Sequence, residues 1–255
     1  MTKEERIHLF TTELNSIKNK SIKEFAIELL INADDYFFVV PASSSGKYHP
    51  AYAAGNMGLI RHTKAVVYFL TEMLRSELFG FTSDQNDCLI VAAMAHDIKK
   101  QGDGTGHHTV GEHPKLAAEY VRRINIKSNL ISVEYVDFIC SAIETHMGQW
   151  GKRNGLRKPE TPSEKLVHLA DLIASRKTVN IDFTQLFPEL NLTYDTITEN
   201  VAAPVNTEPG DFVCTFGKHK GKPIKEIPVE YLNWAINANI NQTEFIEAAK
   251  KYCNK

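Results

Sequence analysis

Five stretches of this chain combine an apolar helical stripe with a histidine or an aspartate, and few folds can bury such stretches separately. In GLIRHTKAVVYFLTEML, Leu59, Val66, Val67, Leu70 and Leu74 recur at helical spacing on the element that carries His62. VAAMAHDIKK closes an apolar run on the adjacent pair His96-Asp97. EHPKLAAEYVRRI begins with His113 near its start, and Pro114 suits a first helical turn. FICSAIETHMGQW places His146 near the end of another helix. KLVHLADLIASRK sets Asp171 among Leu166, Leu169, Leu172 and Ile173. An ionised carboxylate buried without a partner is costly, so Asp171 asks for a cation or a strong donor. The economical arrangement is one helical bundle whose five elements converge on a single polar site.

The residue types define what that site can hold. His96 and Asp97 side by side offer a nitrogen and an oxygen to one divalent metal, and leave an Asp97 oxygen to bridge to a second. A lone histidine on a helix is usually a satisfied core residue; the ordered set is what outweighs that reading. Neutral imidazoles and carboxylates suit one or two ions of Mn²⁺ (the first choice), Fe²⁺, Mg²⁺, Co²⁺ or Zn²⁺. His107 and His108, in the glycine-rich loop GDGTGHH, are alternatives to His113. His168, three residues before Asp171, shares roughly its helical face and reads as packing first, with a partner that supports a ligand as the alternative. His49 in KYHPAY is a candidate substrate contact at the site entrance, and His8 reads as surface. Arg61, Lys99, Lys100, Arg153 and Arg176 are candidates to hold a phosphate, Lys100 first among them. The serines of PASSSG lack nucleophile-elbow spacing and no Walker loop is present, which disfavours serine-hydrolase and P-loop chemistry.

This ordered set resembles the HD-domain metal-dependent phosphohydrolases, whose pattern is a histidine, an adjacent His-Asp, further histidines and a distal aspartate on a helical bundle. FFVVPASSSGKYHPAYAAGNMGLIRHT, THMGQWG and LADLIASRK look like pieces of the HD-domain 3′–5′ exoribonucleases of Gram-positive bacteria, and the resemblance covers roughly Asp34–Lys177. It implies that His62, His96, Asp97 and Asp171 bind a first metal, with Asp97 bridging to a second held by His113 and His146. Asp97 then positions a metal-activated water for in-line attack on phosphorus, and Lys100 adds positive charge at the phosphoryl oxygens. Lys99 stands where the family commonly has glycine, which predicts a different turn after Asp97. The roughly thirty residues before Asp34 are too few for the oligonucleotide-binding barrel of those exoribonucleases.

The expected fold is mainly α: an HD-type helical bundle over 1–180, a connector over 181–209 and a small α+β module over 210–255. Helices are predicted over 59–78, 84–98, 112–124, 129–146 and 162–178. Two more precede them, broken near Asn19-Lys20-Ser21, where Ser21 and Glu24 have capping-box spacing. The tail begins with an alternating run, Phe212–Phe216, then a lysine- and glycine-rich turn and a helix from Pro228. FGKHKGKP, IP and YLNW resemble a small module found at the C-terminus of exonuclease X-like proteins. Its Lys218, Lys220, Lys222 and Lys225 form a local basic patch able to touch phosphates.

The net charge of −2 supplies no global drive towards nucleic acid or membranes. No apolar stretch approaches the ~20 residues needed to span a bilayer, and MTKEERIHLF is too charged for a signal peptide. Cys88, Cys140, Cys214 and Cys253 show no CxxC spacing and read as reduced thiols of a cytoplasmic protein. A homo-oligomer stays open. Three functions follow. The first is hydrolysis of phosphodiesters at a nucleic-acid 3′ end, with single-stranded nucleic acid as partner. The second is hydrolysis of a small nucleotide such as a deoxynucleotide, cyclic nucleotide or alarmone. The third is a degenerate domain that only binds a nucleotide or another protein.

Overall fold

A computed structural model describes residues 1–43, 49–76, 78–103, 108–192, 210, 212, 214, 217–219, 221–238 and 243–253. Among the described residues, nine helices belong to the first body: α1 (Lys3–His8), α2 (Thr11–Ser16), α3 (Lys20–Ile31), α4 (Gly58–Arg75), α5 (Ser83–Ala95), α6 (His113–Ser128), α7 (Val133–Thr145), α8 (Pro162–Ala174) and α9 (Phe183–Leu186). In the bundle α4 packs on α5 and α8, and α7 packs on α5, α6 and α8. The core runs through Ile60, Val66, Leu89, Ala92, Val121, Ile139, Ile143, Val167 and Ala170, all buried. The apolar periodicity of the sequence is thus turned inward, as burial of such stripes requires.

Local chemistry sets the helix ends, and the ends set where the polar side chains point. Thr82 and Thr161 start α5 and α8 with capping boxes completed by Gln85 and Glu164. Ser132 caps α7. At the other ends, His96 and His146 are the C-cap residues of α5 and α7, whereas His113 is the first residue of α6. Asn129 takes φ 51° to end α6, and the Asn125 side chain bonds both the carbonyl and the amide of Ile131. The predicted helix over 129–146 therefore starts only at Val133.

Two features at the N-terminal side differ from expectation. A break at Leu9-Phe10 separates α1 from α2, giving three helices before residue 32. Ser21 and Glu24 do not cap α3; Asn19 does, its side-chain oxygen accepting from the amides of Ser21 and Ile22. Asparagine is as good a cap as serine, and here it sits two residues earlier.

The entry to α4 is tightly built. A Cβ on Gly58 would lie 2.3 Å from the Ala53 carbonyl oxygen, so only glycine lets the 3-10 turn Ala51–Ala53 approach. Lys64, fully buried on α4, bonds Glu13 Oε2 and Glu189 Oε1, each at 2.6 Å. That triad ties α2 and the turn Pro188–Leu190 to α4. Phe183, Phe187 and Leu190 are buried in the same core, so the expected connector from 181 begins as packed structure. Residues 193–209 lie outside the described residues.

The chain forms two compact units, Met1–Val201 and Ala202–Lys255. The second unit contains α10 (Val229–Asn237) and α11 (Thr243–Cys253) around Cys214, Ile224, Ile227, Leu232, Ala235, Phe245 and Ala249. The expected α+β character is not what the described residues show: they hold helices and 3-10 turns and no strand. Phe212 and Cys214 do exchange backbone bonds with Gly221, Lys222 and Ile224, but the rest of that alternating run lies outside the described residues. No disulfide joins the cysteines, and burial pushes the thiols of Cys88 and Cys140 up to about 12. Among the described residues no helix is long and apolar enough to cross a membrane.

Candidate metal centre

Six side chains from five elements meet at one point. His62 comes from mid-α4, His96 and Asp97 from the end of α5, His113 from the start of α6, His146 from the end of α7 and Asp171 from mid-α8. Their ligand atoms fall into three overlapping sets, His62/His96/Asp97, His96/His146/Asp171 and Asp97/His113/His146, each within 4.8 Å. Asp97 is the hub. Its Oδ2 lies 3.3 Å from His96 Nε2 and 3.7 Å from His62 Nε2, and its Oδ1 lies 3.0 Å from His113 Nε2 and 3.6 Å from His146 Nε2. Asp171 Oδ1 is 3.1 Å from His62 Nε2 and 3.9 Å from His96 Nε2.

The helix ends explain the ring orientations. His96, His113 and His146 each direct Nδ1 at the backbone carbonyl three residues back (Ala93, Val110 and Ile143), each at 2.7 Å. A carbonyl accepts only, so these bonds assign the Nδ1–H tautomer and leave the Nε2 lone pairs facing inward. In that tautomer the Nε2 lone pairs of His113 and His146 oppose each other at 3.2 Å. Their neighbour Asp97 Oδ1 is buried and accepts no hydrogen bond. Lone pairs converging on an orphaned carboxylate oxygen repel one another unless a cation sits among them. The residues present therefore fit a divalent metal, and their N/O character fits the metals expected from sequence.

The electrostatics agree. Burial alone would raise the Asp97 carboxyl, but Lys100 and His96 beside it hold it well below the usual range. Burial would likewise raise Asp171, and His62, followed by His96, holds it well below. Burial keeps His62 and His113 neutral by pushing them down. His96 moves the other way, its desolvation outweighed by the two carboxylates within reach. A bound cation takes over that neutralisation and displaces the proton.

Access is one-sided. The His and Asp97 side chains are at most 3% exposed, while Asp171 is 19% exposed. The 3-10 turn Gly148–Asn154 that follows His146 carries Trp150, whose ring lies 6.1 Å from that of His168 on α8, three residues before Asp171.

The other candidates divide sharply. Lys100 points inward and pairs with Asp97 Oδ2. His49 packs its ring 4.7 Å from that of His62, with Nδ1 buried and unpartnered, and burial pushes it down to about 2. Arg176 is exposed on the rim; its Nε bonds the Leu172 carbonyl and its guanidinium lies 5.7 Å from the Trp150 ring. Arg61 is not available to a phosphate: buried, it donates to the Tyr52 and Ala54 carbonyls and holds the turn before α4. Lys99 bonds Asp34 at 2.6 Å and lies over Tyr120. It has an ordinary φ; the left-handed position after Asp97 falls on Gly102, φ 65°, so the turn needs no glycine at 99. Arg153 is exposed. His168 is more than packing, since its Nδ1 donates to the His146 carbonyl at 2.6 Å and so steadies that ligand. His107 and Lys220 lie outside the described residues; Lys218 and Lys222 are exposed in the second unit.

Sequence reasoning passed over Glu164 and Trp150. Glu164 is buried against Arg157 and Ser141 and anchors the start of α8. Its signal was present, because Thr161 and Glu164 have capping-box spacing in the loop before Asp171.

The family model for the HD domain matches residues 59–176, the stretch that carries His62 through Asp171. No curated protein and no solved structure matches the chain. Residues 59–176 thus match an HD domain, and the His/Asp cluster within that stretch offers the ligands for a metal ion.

Proposed function

We propose that the protein is a phosphodiesterase acting at the 3′ end of single-stranded nucleic acid. The observation that carries the reading is Asp97: a buried carboxylate, one oxygen unsatisfied, ringed by four imidazoles and Lys100. In this reading His62, His96, Asp97 and Asp171 hold one cation, and Asp97, His113 and His146 hold a second. Cations held there supply Lewis-acid charge to a phosphoryl group and acidify water for attack near neutral pH.

The chain's own groups do the rest. Lys100 keeps Asp97 ionised and adds positive charge where phosphoryl oxygens gain negative charge in the transition state. His49, neutral at working pH, closes the side of the site next to His62 and excludes water. Arg176 reaches a phosphate from the rim. The overall reaction is water plus phosphodiester giving a phosphomonoester and an alcohol, without a covalent enzyme intermediate. Among the described ligand side chains Asp171 is the most exposed, at 19%, and so little exposed surface suits a chain end better than a mid-strand phosphate, which supports exo-attack. Lys218, Lys220 and Lys222 would add phosphate contacts to single-stranded nucleic acid. The net charge of −2 favours a second reading, a small-nucleotide hydrolase.

Metal-loaded protein incubated with 5′-labelled single-stranded RNA, single-stranded DNA and a panel of nucleotides separates these. Stepwise shortening from the 3′ end supports the proposal. Hydrolysis confined to the nucleotides replaces it with the second reading. If no phosphoester is cleaved, both fail.

A further inference from the structure

We infer that Trp150 and Arg176 form a nucleobase-stacking platform at the mouth of the metal centre, a reading that rests on the proposed phosphodiesterase. Trp150 is 46% exposed, although it lies only four residues beyond the ligand His146. Large aromatic side chains left open beside a buried polar site have an unsatisfied apolar face.

The local chain is shaped to present this ring. Gly148 takes φ 54°, and a Cβ there would lie 2.2 Å from the His168 ring. Only glycine lets the strand of chain leaving His146 pass over His168 at this distance. The next turn then brings the Trp150 ring to 6.1 Å from the His168 ring, with its amide bonded to the Met147 carbonyl. His168 in turn bonds the carbonyl of His146 and is three residues from Asp171 on α8. The platform is therefore tied to ligands on both sides of the open edge. Arg176, two residues past the end of that helix, places its guanidinium 5.7 Å from the ring. The pair offers a π-face for a base and a cation for the phosphate attached to it. Stacking tolerates any base, so the platform selects for the presence of a base rather than for its identity.

The test uses the full-length, metal-loaded protein in three versions: unaltered at residue 150, Trp150→Phe and Trp150→Ala. Substrates are a dinucleotide, a short single-stranded oligonucleotide and bis-p-nitrophenyl phosphate, whose nitrophenyl groups are not nucleobases. Trp150→Ala is expected to raise KM for the first two about 5- to 100-fold with little change in kcat, with Trp150→Phe between. KM for bis-p-nitrophenyl phosphate should change no more than about twofold. A KM effect on the oligonucleotide alone assigns the platform to a strand end; an effect on both assigns it to any nucleotide; either supports the inference. Equal effects on all three substrates, or none, overturn it.

Binding is read separately in a Trp234→Phe background, where Trp150 is the single tryptophan. AMP should quench its fluorescence and ribose 5-phosphate should not. If nothing is hydrolysed but AMP still quenches, the phosphodiesterase reading falls and the platform stands. If hydrolysis proceeds and AMP leaves the fluorescence unchanged, the platform falls and the phosphodiesterase stands.

Discussion

Adding Mn²⁺ to metal-stripped protein should raise its thermal unfolding midpoint in proportion to the logarithm of the metal concentration. The structure supplies the reason. Without a cation, Asp97 Oδ1 is buried and unsatisfied, and the Nε2 atoms of His113 and His146 oppose each other at 3.2 Å. That unfavourable arrangement is relieved only in the folded state, because the six ligands come from five elements that are separate when unfolded. A ligand bound only by the folded state contributes about 2.7 kcal/mol at a hundredfold excess over its Kd. Each further decade adds about 1.4 kcal/mol per ion. For a body the size of Met1–Val201, the midpoint moves about 2–4 °C per kcal/mol. One ion therefore gives about 3–6 °C per decade of Mn²⁺ above its Kd, and two ions about twice that slope. Differential scanning fluorimetry across a Mn²⁺ series, with EDTA-treated protein as the zero point, reads the slope. Asp97→Ala should flatten it, and Asp171→Asn should weaken it. A midpoint that ignores Mn²⁺, or a slope unchanged in Asp97→Ala, refutes the argument from converging lone pairs.

Three further outcomes follow from other parts of the molecule. Lys64→Met strands Glu13 and Glu189 in the core and should cost about 3–5 kcal/mol in urea denaturation, with metal content unchanged. Glu164 is held at about 2: burial raises it, but Arg157, the Glu160 and Thr161 amides and Ser141 lower it further. A depressed carboxyl stabilises above its unfolded value, so Glu164→Gln should cost about 1–3 kcal/mol at neutral pH, the half-exposed Arg157 limiting the figure. That difference should shrink as pH falls from about 4.5 towards 2, as read by denaturation of both proteins across this range. Deleting residues 210–255 should weaken binding to single strands and flatten its salt dependence in filter-binding titrations, while hydrolysis of bis-p-nitrophenyl phosphate stays nearly unchanged.

How much the sequence disclosed depended on whether a residue's role was local. The bundle helices were legible because Leu59, Val66, Leu70 and their counterparts repeat at a period that only a buried helical face explains. That His62, His96, Asp97, His113, His146 and Asp171 cluster was legible because the ordered set of histidines and aspartates on apolar helices outweighs the core reading of any one of them. Roles decided by a distant partner were not. Arg61 and Lys99 read as phosphate contacts, yet one holds two carbonyls before α4 and the other holds Asp34. Charge alone does not reveal which acceptor a long side chain will find. Lys64 gave no hint of its triad, since Glu13 and Glu189 are 51 and 125 residues away. The cap of α3 was missed because Asn19 and Ser21 are both good caps, and packing of the chain around Asp87, which accepts from the amides of Lys18 and Asn19, decides between them. Nothing local in the sequence marked Trp150, because its position depends on Gly148 passing over the ring of His168, twenty residues further along the chain.

The most direct test of the central claim combines metal analysis with turnover on the same samples. Wild-type and Asp97→Asn proteins are stripped with EDTA, then restored with Mn²⁺, and bound metal and hydrolysis of bis-p-nitrophenyl phosphate are measured at each stage. The account predicts one or two ions per wild-type chain, activity that disappears on stripping and returns on restoration, and a loss of at least about a hundredfold in kcat for Asp97→Asn. Turnover that survives metal removal, or an Asp97→Asn protein as active as wild type, would contradict it.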